Sequence, residues 1–315
     1  MNEIIVYTII SLTAIGMVAA VVIYFVSRKF DVQEDARIGA VEQVLPSTNC
    51  GGCGQPGCHA FALAVVNAGD LSSLHCPVGG NDVMKQVADI LGIKAVEKDP
   101  YIAVVRCSGS FEYRKKTSVY DGTSSCKIAA SLYSGDTGCA YGCLGMADCV
   151  DVCDFEAMYM DETTGLPVVI EDKCTACNAC VKECPKDILE LWPKGKKNQR
   201  VYVACLNEEK GSTARKDCAV ACSGCSKCAD ACRYDAITVG NNLARIDPDK
   251  CKLCMECVDT CDAHNIITAN ITPEKLQQGH DQRLKHEERA RKKKEEEKLA
   301  AAAAKQHGDE TTPQT

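Results

Sequence analysis

The residues of this sequence that could do chemistry are its cysteines, which are numerous and closely spaced. The chain has 24 cysteines among 315 residues, against one tryptophan and five phenylalanines. Most of them stand in runs with two or three residues between neighbours. Thiolates at that spacing converge on a metal centre more readily than they pair as structural disulfides, which are typical of short secreted chains. The pattern therefore predicts reduced, metal-bound thiols.

Two runs late in the sequence have the spacing of two-cluster ferredoxins. They are Cys222-x2-Cys225-x2-Cys228-x3-Cys232 and Cys251-x2-Cys254-x2-Cys257-x3-Cys261. In such pairs, three cysteines of one run bind one [4Fe–4S] cluster and the fourth binds the cluster of the other run. A zinc ribbon would instead use two separated pairs. The predicted sets are Cys222, Cys225, Cys228 and Cys261, and Cys251, Cys254, Cys257 and Cys232.

An earlier region repeats this pattern, because Asp172–Cys184 recurs closely as Asp249–Cys261. Its runs are Cys139-x3-Cys143-x5-Cys149-x3-Cys153, which is wider, and Cys174-x2-Cys177-x2-Cys180-x3-Cys184. The same crossover predicts two more cluster sites. Their sets are Cys139, Cys143, Cys149 and Cys184, and Cys174, Cys177, Cys180 and Cys153.

A different motif lies nearer the N-terminus, where Cys50, Cys53 and Cys58 share a glycine-rich loop. Small residues let such a loop curl so that its backbone N–H groups face cluster sulfur. A helix-like stretch (60–67) follows, and Cys76 completes a set of four. Together with the two pairs of runs, this predicts about five [4Fe–4S] clusters.

Four cysteines remain, and two of them lie in each half of the duplication: Cys107, Cys126, Cys205 and Cys218. If the halves meet face to face, these four could hold a sixth cluster. The alternative is that they are buried, reduced thiols that pack as small hydrophobic side chains.

The elements that must position these cysteines begin with a membrane segment. Residues 4–26 carry no charge and are long enough, as a helix, to cross a bilayer. The Met1-Asn2-Glu3 start is not the basic start of a cleaved signal peptide. Arg28 and Lys29 follow the segment, which predicts a single-pass anchor in a bacterial inner membrane with the rest in the cytoplasm.

The soluble part is predicted to be α+β. The predicted divisions are an anchor (1–30), a small 4Fe–4S domain (31–97) that opens with a linker (31–46), a first ferredoxin-like module (98–192), a second (193–271) and a charged helical or disordered tail (272–315). Strand-like runs at 102–107 and 201–205 open the modules, and 82–91 has helical periodicity.

Several function classes do not fit. A net charge of −7 excludes a generally basic nucleic-acid binder. No glycine fingerprint follows a strand-like run, and no Ser/His/Asp or paired-carboxylate arrangement is present, so we expect no NAD or flavin site and no complete active site. Basic stretches at 114–116 and 194–200 could dock an acidic protein.

The span, the Cys50–Cys76 motif and the ferredoxin modules together resemble the B-type subunit of the Rnf complex, the ion-translocating ferredoxin:NAD oxidoreductase. The resemblance covers residues 1 to about 270 and is strongest for versions from anaerobic bacteria. It implies an electron-entry iron–sulfur subunit that takes electrons from reduced soluble ferredoxin. Partner subunits with flavins and another iron–sulfur centre would receive them, and NAD would be the final acceptor. Ion transport would belong to the whole complex.

An alternative is a polyferredoxin-like electron-transfer subunit of another membrane reductase. Such subunits usually lack the Cys50–Cys76 domain, so the resemblance favours the first interpretation.

Overall fold

A computed structural model describes residues 2–29, 35–132 and 135–308 of the chain. It begins with a long apolar helix, α1 (Asn2–Lys29). Between Ile5 and Lys29 this helix has a mean hydropathy of 2.5, and none of it is buried against the other described residues. The hydroxyls of Thr8, Ser11 and Thr13 donate to carbonyl oxygens three or four residues earlier. These polar groups are therefore satisfied inside the helix, as a bilayer requires.

Three helices form the next domain: α2 (Ala36–Val44), α3 (Cys58–Ala68) and α4 (Gly80–Leu91). They enclose a core in which Val41, Phe61 and Val87 are fully buried. The linker expected at 31–46 is wrong for its described part. Residues 36–44 are helical because the Asp35 side chain caps the N–H of Arg37 and the apolar face of α2 packs into this core.

The two modules have the same strand topology. The first contains β1 (Tyr101–Val105), α5 (Cys126–Leu132), α6 (Asp148–Asp151), β2 (Met158–Asp161), β3 (Leu166–Val169), α7 (Ala179–Glu183) and β4 (Leu189–Pro193). After a short 3-10 turn (Lys196–Asn198), the second contains β5 (Arg200–Val203), α8 (Gly211–Asp217), α9 (Lys227–Asp230), β6 (Ile237–Gly240), β7 (Leu243–Ile246), α10 (Glu256–Thr260) and β8 (Ile266–Ala269). In each module the outer strands pair antiparallel and the inner strands form a hairpin. The predicted α+β class is confirmed.

The modules meet where the paired strands β1 and β4 of the first module pack against β5 of the second. Trp192 and Tyr202 contact each other with ring centroids 5.9 Å apart. The Arg106 side chain, only 3% exposed, pairs with Glu190 and donates to the carbonyl oxygen of Val203 in the second module. A buried aromatic and charge contact therefore holds the two halves together.

The chain ends in a long helix, α11 (Pro273–Gly308). Its first turns pack on the second module, where a Cβ at Gly279 would lie 2.7 Å from the carbonyl oxygen of Cys254. His280 and Arg283 both pair with Asp259. The predicted charged helix is present, but its start is docked rather than solvated. The disorder predicted at the very end falls on residues 309–315, which lie outside the described residues.

Candidate iron–sulfur centres

Four cavities in the two modules are each lined by four cysteines. The sets are Cys126, Cys143, Cys149 and Cys184; Cys222, Cys225, Cys228 and Cys261; Cys232, Cys251, Cys254 and Cys257; and Cys153, Cys174, Cys177 and Cys180. Three of these sets are the groupings predicted from spacing. In each, the fourth cysteine comes from the other run, as the crossover requires.

The first cavity differs from the prediction. Cys126 lines it in place of Cys139, which was expected to join Cys143, Cys149 and Cys184. The reason is the carboxylate of Asp148, which accepts hydrogen bonds from the backbone N–H groups of Cys126 (2.8 Å) and Lys127 (3.2 Å). This contact ties the start of α5 to α6. The unusually wide spacing of the Cys139–Cys153 run was the sequence signal that Cys139 does not line the same cavity as Cys143 and Cys149.

The same local turn recurs at all four cavities. The residue before each short helix has a positive φ: 67° at Ala147, 70° at Asn178, 64° at Ser226 and 71° at Met255. None of these residues is glycine, so each turn costs about 1–2 kcal/mol of backbone strain. Each lies two residues before the third cysteine of its run. The wide run in the first module therefore adopts the same turn as the regular ones.

Three of the four cysteines of the N-terminal domain lie at its core. Cys53 and Cys58 pack against the cluster of buried side chains that contains Cys76, and the Cys76 sulfur accepts a hydrogen bond from the N–H of Gly79 (3.4 Å). The Asn49 side chain accepts from the N–H of Cys58 (2.8 Å), which holds the loop closed. Backbone N–H groups aimed at sulfur are what a thiolate-bound cluster requires.

Two thiols of the first module, one in each of its cavities, are disfavoured as free anions. Burial, together with neighbouring thiolates, raises the pKa of Cys143 and of Cys180 to about 12. A free thiol of this kind stays protonated at neutral pH, whereas a metal-bound one is deprotonated. A bound iron–sulfur cluster would supply the positive charge that stabilises such thiolates.

The spread of the cysteines suits a cluster better than a single ion. Within the described ranges, no three His, Cys, Asp or Glu side chains converge on a point that one metal ion could occupy. Four thiolates on one zinc ion would each lie about 2.3 Å from it. A cubane, with its iron atoms at separate corners, takes ligands that are farther apart.

A buried amide beside one set also fits a cluster. Asn265 Nδ2 is buried and has no hydrogen-bond partner among the described residues, while its Oδ1 accepts from the Cys261 sulfur (3.3 Å). A rotation of the amide would turn Nδ2 towards that sulfur once it is a thiolate. The residue is thus placed to stabilise a cluster ligand.

Each of the two basic stretches is only partly exposed. Arg114 is buried and donates to the carbonyl oxygens of Cys143 and Gly165. Arg200 is also buried and pairs with Glu171. Both arginines support the fold around the cavities, and the exposed basic side chains of the two stretches are Lys115, Lys116, Lys196 and Lys197.

Two family models match parts of the chain. The FeS model, which describes an Fe–S cluster region, matches residues 45–78. The model for a 4Fe–4S binding domain matches residues 167–190. The first covers the loop with Cys50, Cys53, Cys58 and Cys76, and the second includes the run from Cys174 to Cys184.

The chain is also similar to characterised proteins over most of its length, each the B-type subunit of an ion-translocating complex. It is 43% identical over 256 residues to that of the Na(+)-translocating ferredoxin:NAD(+) oxidoreductase complex from Acetobacterium woodii, covering 81% of this chain and 75% of that protein. It is 39% identical to that of the Proton-translocating ferredoxin:NAD(+) oxidoreductase complex from Clostridium ljungdahlii, covering 88% and 96%. The counterpart in the Ion-translocating oxidoreductase complex of Methanosarcina acetivorans is 37% identical, covering 83% and 97%.

Proposed function

Since this chain belongs to the family of B-type subunits of ion-translocating oxidoreductase (Rnf) complexes, we propose that it takes electrons from reduced ferredoxin and relays them to partner subunits. NAD is the final acceptor of the complex. The chain is an iron–sulfur electron-transfer subunit, and the transport of an ion belongs to the assembled complex. The apolar part of α1 supports this division, because its residues 5–26 include no Asp, Glu, Lys, Arg or His that could carry an ion.

The observation that carries this proposal is the closeness of neighbouring cysteine sets, from the N-terminal domain to the first module and within each module. The N-terminal set adjoins the first module, where a Cβ at Gly52 would lie 2.8 Å from the carbonyl oxygen of Cys177. Within that module, burial chiefly raises the pKa of Cys149, and a thiolate at Cys180, which belongs to the other set, raises it further. Cys228 does the same to Cys257 in the second module. Thiolates of neighbouring sets are thus close enough to interact electrostatically.

The proposal assigns five [4Fe–4S] clusters to the sets that the structure groups. They are the N-terminal set of Cys50, Cys53, Cys58 and Cys76, and the four cavity sets of the modules. When bound, such clusters carry single electrons at potentials that depend on burial and on hydrogen bonds to sulfur. The protein supplies the thiolates, the N–H donors and the exclusion of water.

The membrane arrangement is part of the same proposal. The helix α1 associates with the membrane as a single span, and Arg28 and Lys29 in its last turn mark the cytoplasmic end. The domains that follow would then face the compartment in which soluble ferredoxin and NAD are found. The thiols stay reduced there.

The test is a mixing experiment with the full-length chain, purified anaerobically in detergent. Reduced ferredoxin is expected to bleach the visible absorption of the clusters rapidly, whereas NADH alone leaves it unchanged. Rapid bleaching by NADH without other subunits would overturn the proposed direction and donor. Slower bleaching after replacement of the exposed Lys196 and Lys197 by Ala would indicate that these lysines steer the donor.

A further inference from the structure

Four cysteines stand outside the five sets, and they come from four separate parts of the chain. Cys107 follows β1, Cys139 precedes α6, Cys205 follows β5 and Cys218 follows α8. Their sequence separation is so wide that no motif joins them. The exchange of Cys139 for Cys126 in the first cavity is what leaves this particular group of four. If these four cysteines form a group of their own, all 24 cysteines of the sequence fall into six groups of four.

The backbone brings these four segments together between the two modules. The N–H of Ser108 donates to the carbonyl oxygen of Ala204 (2.9 Å), so Cys107 and Cys205 lie side by side. The segment after Cys107 then forms antiparallel bridges to both of the other segments, from Arg114 to Cys218 and from Lys116 to Thr137. Cys139 lies two residues beyond the second bridge.

The side chains face a common space. A Cβ at Gly109 would lie 3.3 Å from the sulfur of Cys218 and 3.6 Å from the sulfur of Cys107, so a glycine there keeps both sulfurs accessible. Cys205 packs against the small buried cluster that contains Cys218. Cys139 lies beside Asn207, which follows Cys205 by two residues and whose amide nitrogen is 3.5 Å from the Cys139 sulfur. All four thiols are thus neighbours, although no two share a sequence motif.

Hydrogen-bond donors surround the group as they surround cluster ligands. The amide of Asn207, a residue only 1% exposed, approaches the sulfur of Cys139 at 3.5 Å. The N–H of Cys222 approaches the sulfur of Cys205 at 3.4 Å. The hydroxyl of Ser108 is buried and has no partner among the described residues. These donors match the N–H···S and O–H···S contacts that stabilise thiolates on iron.

We propose that Cys107, Cys139, Cys205 and Cys218 form a sixth iron–sulfur site, built jointly by the two modules. The ligand class is a [4Fe–4S] cluster, because four buried soft thiolates with N–H donors are its usual environment. The site replaces the grouping of Cys107, Cys126, Cys205 and Cys218 that the duplication suggested. Reduced thiols that only fill space would not need polar donors aimed at their sulfurs.

The sixth site lies between the nearest cysteine sets of the two modules, a position from which it can pass electrons between them. Cys107 packs against the buried cluster that contains Cys143, a ligand of the nearest set in the first module. Cys205 receives its hydrogen bond from the N–H of Cys222, a ligand of the nearest set in the second. The sixth site therefore joins the two modules into one continuous series. This consequence rests on the proposed relay function, whereas the binding of a cluster does not.

Iron content of the anaerobic full-length chain provides the test. Six four-iron clusters require about 24 iron atoms and as many acid-labile sulfides, against about 20 for five. Double variants then identify the ligands. Cys107→Ala/Cys139→Ala is expected to lose about four irons, because both belong to one site, and Cys139→Ala/Cys143→Ala about eight, because they belong to two.

The opposite results would overturn the site. A wild-type content of about 20 irons, with no loss in Cys107→Ala and a loss of only about four in Cys139→Ala/Cys143→Ala, would return Cys139 to the first cavity. The wild-type count needs no variant to fold, so the test holds even if the variants are unstable. Ser110→Ala, near Cys107 but without a thiol, is the control and keeps all of its iron.

The midpoint reduction potential of the sixth cluster, followed by EPR, provides a second test. Removing a hydrogen bond to a ligand sulfur disfavours the reduced, more negative cluster. Asn207→Leu is therefore expected to make the midpoint potential of one EPR-detected cluster more negative and to leave the others unchanged. Asn67→Leu, on the exposed face of α3, is the matched control. An unshifted spectrum in Asn207→Leu would contradict the site, whatever the outcome with ferredoxin.

Discussion

The carboxylate of Asp148 accepts a hydrogen bond from the backbone N–H of Cys126 at 2.8 Å, and its second oxygen accepts one from the hydroxyl of Ser125 at 2.9 Å. Residues more than twenty positions apart are thereby fixed next to each other. Asp148 caps the free N–H groups at the start of α5 and stands beside Cys149. One side chain thus decides which cysteine completes the first cavity.

Removing this cap should loosen one cluster selectively. In Asp148→Ala the start of α5 loses its acceptor, which costs about 1 kcal/mol, and Cys126 is no longer held over the cavity. Iron release to a chelator, followed anaerobically, is expected to become faster for about four irons per chain. Asp151 is exposed and lies in α6, the helix that also contains Asp148. The variant Asp151→Ala should release iron at the wild-type rate. Equal acceleration in both variants would show that Asp148 has no special role.

A glycine at position 52 is required by the contact between the N-terminal domain and the first module. A Cβ there would lie 2.8 Å from the carbonyl oxygen and 3.0 Å from the Cα of Cys177. Both are backbone atoms that cannot rotate away, so Gly52→Ala should cost about 1–3 kcal/mol. The domain is expected to separate, which limited proteolysis would detect as faster cleavage between α4 and β1.

The control for this variant lies in the same domain. Gly39 is inside α2 and a Cβ added there meets nothing within 4 Å. Gly39→Ala should therefore stabilise the helix by about 0.5–1 kcal/mol and leave the cleavage rate unchanged or lower. If both variants were cleaved equally fast, the close approach at Gly52 would not matter in solution.

Arg106 is expected to be the main polar support between the modules. Its guanidinium is buried, lies 5.8 Å from the ring centroid of Trp192 and pairs with Glu190. Arg106→Ala removes this packing and a hydrogen bond across the interface, at a cost of about 2–4 kcal/mol. Trp192 is the single tryptophan of the sequence, so its fluorescence in an anaerobic guanidinium titration reports the change directly.

A surface pair provides the comparison for Arg106. Arg245 is 56% exposed on its side chain and pairs with Glu208 at 3.3 Å. Because exposed pairs contribute little, Arg245→Ala should change stability by less than about 1 kcal/mol. A midpoint shift as large as that of Arg106→Ala would argue against the interface as the source of the effect.

The helix α1 should bind membranes by its apolar length alone. Val18 lies in the middle of the span and is exposed in the structure, and a charge there costs about 2.5–3.5 kcal/mol of insertion free energy. In cells without the partner subunits, Val18→Asp is expected to move much of the chain into the carbonate-soluble fraction. Val119→Asp, at a fully exposed site of the soluble part, should stay with the membrane.

Local spacing predicted a large part of this fold. The helical stretch at 82–91 is confirmed within α4 (Gly80–Leu91), and the strand-like runs at 102–107 and 201–205 are confirmed within one or two residues as β1 and β5. Short Cys-x2-Cys loops have few ways to fold around a cavity, so the groupings that use them were predictable. The tail helix was predictable from its charges, but its docking through Gly279 was not.

The amino-acid sequence by itself determined the long apolar helix at the N-terminal end, the duplication, the abundance of thiols and the three cavity sets whose spacing is tight. Tertiary structure alone decided the roles of Cys126 and Cys139, because each lies in a long loop that could reach the first cavity. The hydrogen bonds of Asp148 bring Cys126 to that cavity, and the bridge from Lys116 to Thr137 directs Cys139 towards Cys107. The entropy cost of loop closure is similar whether Cys126 or Cys139 is brought to the first cavity. Contacts between residues distant in the sequence therefore decide which of the two cysteines lines the cavity.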